Sequence, residues 1–373
     1  MKAMMRAGMA LALATVLAVL GATPSQAKIM NLDEVPAGYN AANRANLTKV
    51  SDDIVAKIKA GYLDAESVAS IRSGLPSTRI VDGVIADPTK REWLVALLLD
   101  ESDGTYLCGG SYVGHNGGYH MVLTAAHCVV DTLNAAYALF LVNNIQTYSS
   151  DSDAYFLTSA RYKVVHQDYD STVFQNDIAY LAFTDSTSVS ATPAVLAGKN
   201  IELTVGENAT VSGYGVTGYG KSDTSYLREV TLQIISNLKC YTLISSGGAP
   251  LDSDVEVCAM SSGKGSCQGD SGGPLMVTRS NSTEVVIGIV SWGFDCADTE
   301  PAYPDVYTRV SYYEYWIHYY AAHVTGDDYF LTFQDSGVDY IGTVPTSSPS
   351  PASRQHVAGP LLLLLMCFVA LLF

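Results

Sequence analysis

The chain has 373 residues, 48% apolar and 16% charged, enough apolar material for a packed core, which excludes global disorder. With 37 acidic against 21 basic residues the net charge is -16, a surface that repels phosphate backbones and excludes nucleic acid as the expected partner. The excess lies wholly in residues 80–323, which hold 11 basic and 27 acidic side chains.

Residues 1–27 read as a signal peptide. Lys2 and Arg6 precede an apolar run over 9–20 that is too short to span a bilayer, and Ser25-Gln26-Ala27 offers small residues to a signal peptidase. Secretion is expected. Residues 28–79 form a separate leader rich in helix formers, with Leu47, Val50, Ile54 and Ile58 at helical steps, ended by Gly74-Leu75-Pro76-Ser77-Thr78. From residue 80 the pattern changes to short β-branched and aromatic runs at 95–99, 119–123, 178–183 and 285–292, separated by Gly, Asn, Asp and Ser clusters. This predicts an all-β sandwich or barrel rather than alternating βαβ units. Tyr315, Trp316, Tyr319 and Tyr320 predict a helix over 312–323 packed on it.

Residues 324–356 read as a polar Ser/Pro linker and 357–373 as an apolar tail. A 17-residue helix would be roughly 25 Å long against a hydrocarbon core of roughly 30 Å. With small residues before it in 346–353, the tail fits a glycosylphosphatidylinositol signal, a spanning helix being the alternative; either would make the membrane a partner.

Six of the seven cysteines, Cys108, Cys128, Cys240, Cys258, Cys267 and Cys296, fall in the central stretch, and Cys367 in the tail. An even number in a secreted chain predicts three disulfides, with fifteen pairings open. None has zinc-ligand spacing, so neither metal nor cofactor is expected.

Three short motifs carry the chemistry. Gly269-Asp270-Ser271-Gly272-Gly273-Pro274 surrounds a serine with glycines, which lets backbone approach closely and leaves N–H groups free for a developing oxyanion; Ser271 is the candidate nucleophile. Serine needs a base, and His127 in Leu123-Thr124-Ala125-Ala126-His127-Cys128 precedes a cysteine that could pin its loop. Asp177, in Asn176-Asp177-Ile178-Ala179-Tyr180-Leu181, opens an apolar strand that would carry a carboxylate inward to orient the imidazole. Each motif alone is weak: such residues also serve as turns, caps and structural histidines.

Together, in the order His, Asp, Ser and joined by Ser291-Trp292-Gly293 and Val306-Tyr307-Thr308, they closely resemble the trypsin and chymotrypsin family of serine peptidases over 80–323. The resemblance implies two packed antiparallel six-stranded Greek-key β-barrels with a C-terminal α-helix and the active site between them. It also implies the pairs Cys108–Cys128, Cys240–Cys258 and Cys267–Cys296, a Ser271–His127–Asp177 triad, and an oxyanion hole from the Gly269 and Ser271 amides. Protein or peptide substrates follow, and activity should fall in acid, because a protonated imidazole cannot act as base.

The resemblance also implies a zymogen. Arg79-Ile80-Val81-Asp82-Gly83 looks like an activation junction, with Asp82 where glycine is usual, so an activating protease is expected to cut after Arg79. The new Ile80 ammonium would then pair with Asp270 and order the oxyanion donors. Having no cysteine, the leader cannot stay tethered by a disulfide.

Substrate choice departs from trypsin. Gly265 stands where trypsins carry Asp at the pocket base, followed by Ser266, while Asp305 replaces a wall glycine, an exchange that resembles the broad-specificity collagenolytic serine proteases of crustaceans. Asp305 is expected to attract Lys or Arg, space above Gly265 to admit Phe, Leu or Gln, and Ser291, Trp292 and Gly293 to line an open mouth. A solvent-facing Asp305 is the plainer alternative.

Asn46, Asn208 and Asn281 stand in glycosylation sequons. Two further readings compete. A catalytically silent binding or inhibitor module expects a lost triad residue, and none is lost; an α/β-hydrolase expects Gly-x-Ser-x-Gly and the order Ser, Asp, His, which the chain contradicts.

Overall fold

Strand periodicity decides the architecture of this computed structural model. It describes residues 28–31, 48–50 and 81–341, without 102–103, 131–134, 146–153, 158–159, 185–188, 217–225, 246–250, 253, 295, 297–302, 327–330 and 336–338. The readings at residues 1–27 and 357–373, together with Asn46, Arg79, Ile80 and Cys367, lie outside the described residues.

The leader contributes β1 (Lys28–Asn31) and β2 (Thr48–Val50), followed by β3 (Val84–Ile85). The first barrel consists of β4 (Leu94–Glu101), β5 (Gly104–Asn116), β6 (Tyr119–Thr124), β7 (Ala135–Phe140), β8 (Tyr155–Leu157), β9 (Ala160–Val165) and β10 (Ala179–Thr184). Its antiparallel order is β10-β6-β5-β4-β7-β8, with β9 on the outer side of β10; among the described residues no pairing joins β8 to β9, so this sheet is a half-barrel where a closed six-stranded barrel was expected.

In β4 successive side chains enter different clusters: Val95, Leu97 and Leu99 join the main core, and Leu94, Ala96 and Leu98 a second one. That is why its sequence is a continuous apolar run and not an alternation.

Then follow β11 (Val195–Ala197), β12 (Asn208–Gly213), β13 (Arg228–Ile234), β14 (Glu256–Met260), β15 (Pro274–Thr278), β16 (Glu284–Trp292) and β17 (Asp305–Arg309). The pairings β15-β12-β13-β14-β17-β16 close back on β15, a closed six-stranded antiparallel barrel. β13 alternates, with Val230, Leu232 and Ile234 buried and Thr231 and Gln233 exposed, because only one of its faces meets the core.

There are three α-helices among the described residues: α1 (Ala126–Val129), α2 (Asn237–Ser245) and α3 (Glu314–Thr325). A 3-10 turn, Val310–Tyr313, leads into α3, and Gly326 at φ 70 ends it with its N–H on the Ala322 carbonyl. α3 rests on the first barrel: the Trp316 ring stacks on Tyr180 at 5.7 Å, and the Tyr180 hydroxyl donates to the Ile317 carbonyl at 3.3 Å.

Two expectations are corrected. Residues 48–50 are not helical: β2 pairs antiparallel with the β5 edge at Thr105–Leu107, and β1 pairs with β9, so edge pairing overrides the local helical pattern. The span assigned to a polar linker is partly structured. Its first residues, 324–325, end α3, and β18 (Thr332–Gln334) and β19 (Asp339–Ile341) extend the second sheet, β18 running parallel to β11. Leu331 and Phe333 are buried there, Phe333 stacks on His318 at 4.6 Å, and Asp335 accepts from the N–H and side-chain amide of Asn200 at 2.8 and 2.9 Å. Two apolar anchors in so short a segment are enough to dock it.

Candidate active site

Between the barrels, each chemical group comes from a different element. His127 lies in α1 directly after β6, and Asp177 in the loop before β10, both from the first barrel; Ser271 lies in the loop before β15 of the second. Asp177 is fully buried, and its carboxylate takes three donors: the His127 backbone N–H on Oδ1 at 2.9 Å, and His127 Nδ1–H at 2.7 Å and the Ser291 hydroxyl at 2.6 Å on Oδ2. The Thr308 hydroxyl donates to the Asp177 carbonyl at 2.8 Å, and Tyr313 to Asn176 Oδ1 at 2.8 Å. The imidazole is therefore fixed with Nε2 away from the carboxylate, edge-on to Phe174 at 5.7 Å.

Backbone contacts bring the serine loop to this histidine. The Gly109 N–H donates to the Ser271 carbonyl at 2.7 Å, and Gly109 follows Cys108, which is bonded to Cys128. Cys128 Sγ lies 3.5 Å from the Ser271 carbonyl and 3.9 Å from His127 Nε2, so one disulfide bridges the two motifs. Gly272, at φ 80, leaves no room for a side chain: a Cβ would sit 2.2 Å from Thr124 Oγ1. Gly269, the other amide of the expected oxyanion hole, has φ 93. The other disulfides are Cys240–Cys258, tying α2 to β14, and Cys267–Cys296, beneath the pocket.

Asp270 is wholly buried. Its oxygens accept the Gly215 N–H at 2.7 Å and the Cys267 N–H at 2.9 Å, and Gly215 must be glycine because a Cβ would lie 2.5 Å from the carboxyl. Desolvation, opposed by these two bonds, pushes its pKa up to about 7. A raised carboxylate pKa favours the folded chain at low pH: the folded state binds the proton more tightly, and stability is lost as pH rises from the ordinary carboxylate range toward 7. The uncleaved protein is expected to lose about 2–4 kcal/mol over that interval through this group. Denaturant midpoints at pH 5 and 8 should diverge less in Asp270→Asn, and an equal divergence would rule the group out as the cause.

Beside Ser271 opens a pocket lined by Ser266, Gln268, Ser291, Trp292, Phe294 and Asp305, among others. Asp305 faces this pocket and is 6% exposed, which sets aside the solvent-facing alternative. Its Oδ2 accepts the Ser266 N–H at 2.7 Å, the Ser266 hydroxyl at 2.8 Å and the Tyr307 hydroxyl at 3.2 Å, and burial pushes its pKa up to about 6. Gly265 is buried one residue behind Ser266 and bridges to Val81, which packs on Val216 and the Cys267–Cys296 pair. Gly265 itself does not line the pocket, whereas Cys267 and Cys296, on which Val81 packs, do. Asp82 adopts φ 55, the left-handed conformation that favours glycine and that Asp and Asn tolerate better than most side chains. Gly293 is exposed at the mouth.

Sequence reasoning placed Ser291 only in the pocket, whereas its hydroxyl also holds Asp177; Thr308 and Glu256 were not singled out. No group of three or more metal-ligating side chains gathers among the described residues, and no helix among them is long and apolar enough to cross a membrane.

Residues 80–317 match the family model described as Trypsin. The chain is 33% identical over 244 residues to brachyurin of Leptuca pugilator, covering 64% of this chain and 96% of that protein. To trypsin-1 of Astacus astacus it is 33% identical over 216 residues, 57% of this chain and 86% of the relative. To trypsin delta of Drosophila melanogaster it is 32% identical over 240 residues, 64% and 87% respectively. With the family's fold, its three motifs between two barrels and its model spanning most of the chain, the protein belongs to the trypsin family of serine peptidases and is a serine-type endopeptidase.

Proposed function

We propose that the chain is a secreted zymogen, cut after Arg79, that hydrolyses peptide bonds through Ser271, His127 and Asp177 and prefers Arg or Lys before the scissile bond. The observation that carries the reading is the fixed His127–Asp177 pair, with Nδ1 on the carboxylate at 2.7 Å and Nε2 3.9 Å from Cys128 Sγ, which itself lies 3.5 Å from the Ser271 carbonyl. Ser271 Oγ attacks the peptide carbonyl as His127 takes its proton; the Gly269 and Ser271 N–H groups receive the oxyanion, and His127 gives the proton to the leaving amine as the C–N bond breaks; water then attacks the acyl-enzyme with His127 again as base, and the proton returns to Ser271 Oγ as the acid product leaves. Asp177 stays ionised and stabilises the imidazolium.

Activation is supported by two features at the start of the domain. Val81 already lies against Gly265, and Asp270 waits buried with a raised pKa. An Ile80 ammonium would supply the charge that this carboxylate lacks, returning its pKa to the ordinary range and fixing the adjoining Gly269 and Ser271 amides. Secretion is supported by residues 1–27 and by the three disulfides, which form in oxidising compartments. Asn208 and Asn281 are exposed and open to glycosylation. Membrane attachment rests on the composition of residues 357–373 alone.

Specificity rests on Asp305, whose carboxylate is the acidic group of the pocket lining. The test is a peptide panel varying only the residue before the scissile bond among Arg, Lys, Phe, Leu and Gln, with protein cut after Arg79 and the uncut chain alongside. Cleavage after Arg and Lys by the cut form, at least about 100-fold over the uncut form, is expected. Equal activity of the uncut chain would sink the zymogen reading, and poor cleavage after Arg and Lys the specificity reading.

A further inference from the structure

Beneath the pocket wall lies a carboxylate that the mechanism above does not use. Glu256, at the start of β14, is 6% exposed. Its Oε1 accepts the Trp292 indole N–H at 3.0 Å, and its Oε2 accepts the Asp252 N–H at 2.7 Å. Asp252 Oδ2 in turn accepts from the Gln175 side chain at 2.9 Å, two residues before Asp177. In the β14–β17 register Glu256 stands opposite Thr308, whose hydroxyl holds the Asp177 carbonyl. One turn thus touches both the wall of the pocket and the loop that presents Asp177.

We propose that Glu256 is a positioning residue for the peptidase reaction: it holds the Trp292 wall in place and, when ionised, adds a second buried negative charge behind the Asp177–His127 pair. This rests on the assignment of Ser271, His127 and Asp177 to catalysis.

The indole needs an acceptor because its N–H faces a buried layer, Trp292 packing against the cluster of Ile235, Cys240, Cys258 and Val306. A carboxylate fills that role more strongly than a neutral group. The charged and titratable groups around Glu256 come from four places. Asp252 lies in the turn before β14, Asp177 in the loop before β10, and Tyr313 before α3; Arg309 on β17 donates to the Glu256 carbonyl at 3.1 and 3.2 Å, not to its carboxylate. No cation therefore neutralises the carboxylate among the groups described, and burial first, then repulsion from Asp252 and Asp177, push its pKa up to about 7. Glu256 therefore changes charge near neutral pH.

Ionised, Glu256 favours the imidazolium that forms in the transition state and keeps the indole bond at full strength; protonated, it weakens both. The acid side of the kcat/KM profile then reflects two groups.

The experiment compares wild type, Glu256→Gln and Trp292→Phe, all cut after Arg79, on a peptide with a neutral residue before the scissile bond so that Asp305 forms no ion pair. Wild type is expected to show an acid limb of log kcat/KM broader than a single titration, because the ionised carboxylate and the imidazolium favour each other and the two protons bind anticooperatively. In Glu256→Gln the limb should narrow to a single titration and move to lower pH by roughly 0.5 unit. Trp292→Phe should raise KM about threefold or more while keeping the broad limb. A limb of the same slope and position in wild type and Glu256→Gln overturns the proposal, whatever the effect on stability. Should Glu256→Gln fail to fold, the indole N–H resonance of Trp292 is followed by NMR in full-length Ser271→Ala, assigned by its loss on Trp292→Phe. A titration near pH 7 supports the proposal, and a resonance flat from pH 5 to 9 overturns it. Failure of the triad assignment is separable, since it would appear as turnover in Ser271→Ala.

Discussion

Ser271→Ala should lower kcat/KM toward peptides about 10⁵- to 10⁶-fold, leaving fold and cleavage after Arg79 by an added protease unchanged. The size follows from the division of labour. Without an oxygen at residue 271, His127 has no proton to take, and only the oxyanion donors and substrate binding still assist water attack. The fold should survive because the substitution removes one atom from a loop held by its backbone, through the Gly109 N–H on the Ser271 carbonyl and the Gly273 N–H on the Asp270 carbonyl. Adding His127→Ala should then cost almost nothing more, since the two act as a unit.

Asp177→Asn should be milder, about 10⁴-fold, yet still severe. All three donors on that carboxylate point their hydrogens at it, and an amide would turn its own N–H toward one of them. Burst-phase kinetics with a chromogenic ester check the assignment independently by counting acyl-enzyme. A Ser271→Ala protein that retains a burst, or more than about 1% of wild-type turnover, would end the assignment.

Much of this was legible in the sequence, for identifiable reasons. The barrel strands are long, apolar and β-branched, so 119–123 and 285–292 lie inside β6 and β16 as read. Asp177 and Ser271 stand in loops and His127 in the one-turn helix α1, each at the end of a strand, where glycines and short polar residues mark them out against the apolar grain. Other features were hidden because they depend on partners distant in sequence. Val255-Glu256-Val257 reads as an alternation that turns Glu256 to solvent, yet all three are buried, since the indole of Trp292 covers the other face.

Ser291 and Thr308 were legible only as parts of motifs, and their hold on Asp177 shows only once the barrels pack and bring both onto it. β18 is three residues in a polar stretch, too short for any periodicity to register, and it exists because β11 offers it an edge. The helical spacing in the leader failed at 48–50 for the same reason: the free edge of β5 outweighs a propensity worth tenths of a kcal/mol per residue.

Asp305→Gly should separate two parts of the specificity. Cleavage after Arg and Lys is expected to fall about 100-fold, and cleavage after Leu or Phe to change by less than about fivefold, because only the cationic side chains gain from a carboxylate. The pH dependence has a defined sign. With its pKa raised to about 6, Asp305 loses its charge as pH drops from 8 to 5, so the ratio of Arg to Leu cleavage should fall in wild type and stay flat in Asp305→Gly. A ratio that ignores both the substitution and the pH would mean that the selectivity lies elsewhere.

The geometry also limits what the carboxylate can distinguish. All three of its donors, the Ser266 N–H and hydroxyl and the Tyr307 hydroxyl, meet Oδ2, which leaves Oδ1 for an incoming cation. A guanidinium cannot form its two-pronged pair with a single free oxygen, so it gains little over an ammonium. Arg and Lys substrates should therefore be cut within about threefold of each other, and a preference for Arg above about 20-fold would show that Ser266 or Tyr307 swings away to free the second oxygen.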